Sequence, residues 1–291
     1  MIAVLADIHA NLHALDAVLD DMPEVSAVWV LGDTTGELPF PREVLDRLAG
    51  LGEKIPLYAV AGNREQSLLE ARAGLHPDWW EGPRFSVLAW TADQLTQAHW
   101  ESIKTQPAFL TLEDVPGGAA LFHGSPDKVR GKIRLREHAE AAAACVPERW
   151  LACGHTHNAR LFRVGGKVIV NAGSVGLPLD GMAGAACYAL LDETSEPSSV
   201  GNVAFRQVSY DVDAAVAALH KSELAELAPG VSRAIALELR TGRHHLMGLV
   251  EFCMAYAERE LGHAADDIPA ALWAEAEALW DGGEWVKGRM Q

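Results

Sequence analysis

Five short segments carry side chains whose types and spacing suit metal chemistry: Asp7-Ile8-His9, Gly32-Asp33, Gly62-Asn63, His123-Gly124 and Gly154-His155-Thr156-His157. In an extended chain, residues i and i+2 lie on the same side, so Asp7 and His9 can reach one site, as can His155 and His157. Imidazole nitrogens and carboxylate oxygens together suit manganese, iron, zinc or nickel. Asp33 has two oxygens and can bridge two ions. Two ions about 3.5 to 4 Å apart can clamp the attacking and leaving oxygens of a displacement at phosphorus. Such an ion can also lower the pKa of bound water from about 16 to about 7. Each segment alone has an ordinary explanation. A histidine at a strand end is commonly a hydrogen-bonded structural residue, and His-x-His alone is compatible with a mononuclear zinc site. Together, in this order, they point to a metal centre.

The elements that must hold these residues can be read from hydrophobic periodicity. Ile2 to Ala6, Ala27 to Leu31 and Leu57 to Ala61 read as buried strands, with helical stripes between them at Leu12, Leu15, Val18 and Leu19 and at Val44, Leu45 and Leu48. This alternation predicts a mostly parallel sheet with crossover helices. Further short strands are expected at Ala119 to Phe122, Trp150 to Cys153, Arg160 to Val164, Lys167 to Val170, Ala185 to Leu191 and Val203 to Val208. Each candidate ligand thus follows the C-terminal end of an apolar strand, where open α/β sheets place their ligand crevices. A glycine beside Asp33, Asn63, His123 and His155 fits a tight backbone turn at each. Leu68 to Gln106 reads as mainly helical and rich in Trp, and the chain is helical from about Asp211 onward.

Composition narrows the partners. Hydrophobic residues make up 49% of the 291-residue chain, enough for a sizeable core. The formal net charge of −16 disfavours long nucleic acids and anionic membranes. No apolar run is long enough to span a bilayer and no basic leader precedes Met1 to Ala6, so a cytoplasmic location is expected. Cys145, Cys153, Cys187 and Cys253 lack paired spacing and read as buried reduced thiols.

With these elements in place, the chain resembles the calcineurin-like metallophosphoesterases, and within them the small bacterial and archaeal phosphodiesterase branch. The ordered motifs Asp-x-His, Gly-Asp, Gly-Asn, His-Gly and Gly-His-x-His carry the resemblance. Asn11-Leu12-His13-Ala14-Leu15, His123-Gly124-Ser125-Pro126 and Asn171-Ala172-Gly173-Ser174-Val175-Gly176 extend it. It covers residues 1 to about 240 and implies an α/β fold with mixed sheets, a four-layer αββα sandwich with the dinuclear site at one edge. The resulting division is a catalytic domain over 1–210, a helical insert within it over about 64–106, and a helical extension over 211–291. By matching motif positions, the resemblance implies one ion on Asp7, His9, Asp33 and His157 and a second on Asp33, Asn63, His123 and His155, with Asp33 and a hydroxide between them. The implied cofactors are two divalent ions, manganese foremost, with iron, zinc, nickel or magnesium as alternatives.

One departure bears on the reaction. Many relatives carry a histidine after the Gly-Asn motif, the usual candidate for protonating the leaving group. This chain has Arg64 there. Arginine is a poor proton donor but can bind a phosphoryl oxygen and stabilise developing charge; an ion pair with a nearby carboxylate is the other reading. The expected activity is hydrolysis of a small phosphorylated substrate, a phosphodiester foremost, with Asp33, Asn63 and Arg64 in the chemistry and Asn63 and Arg64 on the phosphoryl group. A phosphomonoesterase, a nucleotide or protein phosphatase, and a non-catalytic metal-binding scaffold are the alternatives. Lys128, Arg130, Lys132, Arg134 and Arg136 would share one face if extended. His244-His245 reads as an exposed helix end. Trp273, Trp280 and Trp285 supply apolar area with which the tail could bury itself on the outer helices or pair two copies of the chain; capping the site is a third option.

Overall fold

Side chains alternate between the two faces of a strand, and here both faces of the central strands are apolar, so the sheets are covered on both sides. The computed structural model describes residues 1–77, 85–195, 201–264 and 268–283. In chain order the elements begin β1 (Ile2–Leu5), α1 (Leu12–Asp21), β2 (Ala27–Val30), α2 (Pro41–Gly52) and β3 (Leu57–Ala59). Next come α3 (Asn63–Arg72), α4 (Ser86–Gln94), α5 (Gln97–Thr105), β4 (Phe109–Leu112), β5 (Ala119–Phe122) and α6 (Arg136–Cys145). Then follow β6 (Trp150–Cys153), β7 (Arg160–Val164), β8 (Lys167–Asn171), β9 (Ala185–Leu191) and β10 (Val203–Ser209). Five helices close the described chain: α7 (Val212–Lys221), α8 (Leu224–Leu227), α9 (Pro229–Thr241), α10 (Leu246–Leu261) and α11 (Ala270–Leu279).

The strands form two five-stranded mixed sheets, ordered β10-β9-β1-β2-β3 and β4-β5-β6-β8-β7. β1, β2 and β3 run parallel, as do β5, β6 and β8. Ile2, Val4, Trp29 and Leu31 meet Leu121, Trp150, Ala152, Val168 and Val170 between the sheets. The alternate residues Ala3, Leu5, Val28 and Val30 pack outward on Leu15 and Val18 of α1 and on Val44 and Leu48 of α2. On the other outer face, Phe122, Leu151 and Cys153 pack on Ala139, Ala142 and Ala143 of α6. This is the expected αββα sandwich. Each fully buried Leu, Val or Phe contributes about 1.5–3 kcal/mol relative to exposure, so the framework is rigid where the loops of the site leave it.

Several expectations change. β4 lies outside the expected strands: it is a four-residue edge strand between Pro107 and the Pro116-Gly117 turn, and unlike β5 and β6 it is mostly only half-buried, so it lacks their continuous apolar run. The basic run is not extended. Ser125 and Lys128 close a turn, Gly131 N–H donates to Lys128 O, and Arg136 already starts α6 and pairs with Glu140. The five cations therefore do not share a face. Cys145 is exposed, while Cys153, Cys187 and Cys253 are buried. Trp79, Trp80 and Trp285 lie outside the described residues.

The helical tail packs on the loops around the site. Val231, Ile235, Leu239, Leu249 and Trp273 share one core with Ala10, Leu38 and Leu177 of those loops. His245 is buried rather than exposed. It opens α10, its ring meets Gly282 O and Thr241 Oγ1, and its N–H and that of Leu246 donate to Glu238 Oε1. Burial pushes the Glu238 carboxyl up to about 7. Glu277 of α11 caps the N-terminus of α9 from outside, accepting from Gly230 N (2.6 Å) and Val231 N (3.2 Å). Glu277→Ala leaves those donors unpaired in a buried place. It is expected to cost about 1–3 kcal/mol of stability in urea denaturation, and an unchanged midpoint would mean the cap contributes nothing.

Candidate metal centre

Every candidate ligand stands in a loop leaving the C-terminal end of a strand: Asp7 and His9 after β1, Asp33 after β2, His123 after β5, and His155 and His157 after β6. Asn63 follows β3 as the first residue of α3. The loops are zipped together. Asp7 N–H donates to Gly32 O, His9 N–H to Asp33 O, and Gly154 N–H to His123 O. The His155 N–H donates to Asp7 Oδ2 at 2.8 Å.

The backbone is strained at this point. Among the described residues, the non-glycine positions with positive φ are Asp7, His9, Ala10, Asp33, His155 and His157, at 49° to 65°. All but Ala10 are candidate ligands. Such conformations cost roughly 1–2 kcal/mol each and persist only where the surroundings over-determine them. The glycines serve a different need than a turn alone. Gly32 does have φ of 81°, but Gly62 does not; a Cβ there would stand 2.2 Å from Asp33 Oδ1. Gly62 is small so that Asp33 can fit.

Three histidines have one ring nitrogen committed outward. His9 Nδ1 donates to Glu37 (2.7 Å), His123 Nδ1 to Leu31 O (2.7 Å) and His157 Nδ1 to Leu177 O (2.6 Å). In the neutral ring each Nε2 is then an acceptor pointing inward. His9 Nε2 and His157 Nε2 face each other at 3.1 Å. His123 Nε2 faces Asn63 Oδ1 at 3.2 Å and Asp33 Oδ2 at 3.5 Å. Asp7 Oδ1 is buried among them with no hydrogen-bond partner. Asp33 Oδ2 lies 3.8 Å from His9 Nε2 and 3.5 Å from His123 Nε2, so it stands between these two histidines. Acceptors that converge on one another need protons or metal ions between them, and the donor set fits divalent ions. Asp7, His9 and His157 form one group with ligand atoms within 4.8 Å of one another; Asp7, Asp33 and His123 form a second. His155 packs edge-on against His123 with ring centroids 5.0 Å apart, outside both groups.

Residues 1–196 match the calcineurin-like phosphoesterase superfamily domain. The chain belongs to that superfamily. It is similar to a metallophosphoesterase of Sphaerobacter thermophilus, 26% identical, with a TM-score of 0.66 over 83% of this chain and 98% of that one. A hypothetical protein of Pyrococcus horikoshii, 22% identical, shares the fold with a TM-score of 0.68 over 83% of this chain and 99% of the other. An uncharacterized protein of Methanocaldococcus jannaschii is 25% identical over 78% of this chain and 94% of its own length. The family is metal-dependent, and the protein is a phosphoesterase, hence a hydrolase. No helix among the described residues is long and apolar enough to cross a membrane.

Two glutamates that sequence reasoning left without a role organise this phosphoesterase site. Glu65 is fully buried and accepts from the N–H groups of Asp33, Thr34, Thr35 and Gly62, fixing the Asp33 loop to α3. Its signal was present: it stands three residues after Gly62, at the third helical position, where glutamate commonly reaches back to the helix start. Glu37 accepts from His9 Nδ1 through one oxygen and pairs with Arg64 through the other. No spacing rule pointed to it. Arg64 is therefore ion-paired, while its backbone N–H donates to Asp33 Oδ1 at 2.8 Å and its guanidinium remains partly exposed.

The electrostatics show which groups hold protons when no metal does. Burial alone would discharge His123, but the adjacent Asp33 carboxylate and then Asp7 outweigh it and raise its pKa to about 10. The pKa of His157 is raised also; burial opposes this, and Asp7 overcomes it. Burial, with the neighbouring His157 charge, pushes His9 down to about 3. Burial lowers His155 to about 4, aided by the His123 charge. A metal must displace the proton from His123. Manganese affinity of chelator-stripped protein should therefore rise with pH between 6 and 8, by up to about tenfold per unit for each proton released. Calorimetry in buffers of different ionisation enthalpy should count at least one released proton; a pH-independent affinity would contradict the assignment. Glu37→Gln, which loosens His9, should weaken metal binding about 10–100-fold in the same titration.

Proposed function

We propose that the protein hydrolyses phosphodiesters of small molecules at a centre of two divalent ions, manganese foremost. The observation that carries this reading is the convergence of His9, His123, His157, Asp7, Asp33 and Asn63 acceptors beside a guanidinium held at the rim by Glu37. When bound, two such ions supply a Lewis-acid clamp on phosphorus and hydroxide at neutral pH.

The chain's own residues do the rest. Asp33 keeps one oxygen toward the centre because Arg64 N–H occupies the other. In this reading the Asn63 amide and the Arg64 guanidinium, which Glu37 holds, bind phosphoryl oxygens. Glu37 orients both His9 and Arg64, so ligand geometry and phosphate binding are coupled through one carboxylate. Arg64 donates hydrogen bonds and charge, not a proton. Leaving groups must then depart with little protonation, which favours diesters of acidic alcohols over simple alkyl monoesters.

Manganese-loaded protein should turn over bis(p-nitrophenyl) phosphate with kcat/KM at least tenfold above that for p-nitrophenyl phosphate. Asp33→Asn and His123→Ala should each lower turnover of the diester by about 100-fold or more, and Arg64→Ala by about 100-fold. Arg64→His should raise turnover of alkyl diesters, whose alkoxide leaving groups need a proton, relative to that of bis(p-nitrophenyl) phosphate. Equal rates on both esters, or an indifferent Arg64→Ala, would refute the diester reading.

A further inference from the structure

A cleft of about 340 Å³ opens beside the metal centre. Its base is the loop after β2, at Thr35, Gly36 and Glu37. One wall is Leu68 of α3 with Val87, Leu88 and Thr91 of α4; the other is Leu246 and Val250 of α10 with Trp273 of α11. The insert and the tail thus face each other across a space that begins at Glu37, the carboxylate that touches ligand candidate His9.

Charge and polarity are divided along this cleft. At the metal end, Arg64 and Arg130 line it, and Arg130 is tethered by its bond to Ser67 Oγ at 2.9 Å. Glu37, the carboxylate of the lining, is already paired with Arg64 and His9. The positive charge of Arg130 is therefore not cancelled within the lining. Away from the arginines the walls are aliphatic and aromatic. Thr91 lies along the same wall, but it is 2% exposed and its Oγ1 is buried, so it offers the cleft no polar atom.

We propose that this cleft seats the ester group of the substrate, and that this group is uncharged and largely apolar, of about phenyl or short-alkyl size. The inference rests on the phosphodiesterase reading for its phosphate end, which Arg64 and Arg130 hold beside the metals. A sugar or a polyphosphate would bring many polar atoms against walls with few partners for them, leaving buried groups unpaired. Pockets of this size and lining are ordinary for small ligands.

The test uses full-length manganese-loaded protein and p-nitrophenyl phosphodiesters whose second ester group is methyl, butyl or phenyl. Each methylene that enters the cleft is worth about fourfold in kcat/KM. The butyl and phenyl esters should exceed the methyl ester by at least about tenfold. Val250→Asp should flatten that rise. Met247→Asp, at an exposed position of the same lining, should do so too if the first variant fails to fold. Calorimetry with phenylphosphonate and methylphosphonate, which are not hydrolysed, reads the cleft without turnover; phenylphosphonate should bind at least about tenfold tighter. Hydrolysis of all three esters at one rate, with equal phosphonate affinities, overturns the cleft assignment and leaves the phosphodiesterase reading standing. Tighter phenylphosphonate binding with no ester hydrolysed keeps the cleft and overturns that reading. Neither turnover nor selective binding overturns both.

Discussion

Lone pairs that face one another at hydrogen-bond distance repel unless a proton or a metal ion lies between them. In this protein the inward nitrogens of His9 and His157 meet each other beside Asp7, and that of His123 meets Asp33 and Asn63. The arrangement cannot relax, because the other ring nitrogens are committed to Glu37, Leu31 O and Leu177 O. The surrounding structure holds these groups together, so that the site takes up either protons, on His123 and His157, or metal ions.

The αββα core supplies the rigidity. Strands buried on both faces end at one edge, and the loops that leave them take left-handed conformations at five candidate ligands. Those conformations are sustained by backbone hydrogen bonds between loops and by the Glu65 carboxylate, which gathers four backbone N–H groups. Small residues make the approach possible, as Gly62 does for Asp33. The tail adds a second constraint by burying Trp273 and its neighbours against Ala10 and Leu38, which ties the helical extension to the His9 loop.

Much of this was legible in the sequence, for physical reasons. Strand ends such as Phe122 and Cys153 precede a histidine or Gly-His directly, so apolar runs and ligand types together located the site. The parallel order of β1 to β3 followed from alternation with helices. Other features lay beyond one-dimensional patterns. Glu37 acts through tertiary contacts with His9 and Arg64, and no spacing announces them. The glycines beside ligands looked like turn formers, yet Gly62 answers to the bulk of Asp33 across the loop. The alternating cations from Lys128 to Arg136 gave a strand-like period, but Gly131 and the Ser125–Lys128 turn break the chain there. His245 read as exposed because its partners, Glu238, Thr241 and Gly282, come together only when the tail folds.

The role proposed for the converging acceptors is to hold two cations. Anomalous diffraction from crystals of the manganese-loaded protein tests it most directly. Two peaks are expected about 3.5–4 Å apart, one beside His9 and His157, the other beside His123 and Asn63, with Asp33 between them. A single peak, or ions bound elsewhere with the His9–His157 contact still closed, would contradict it.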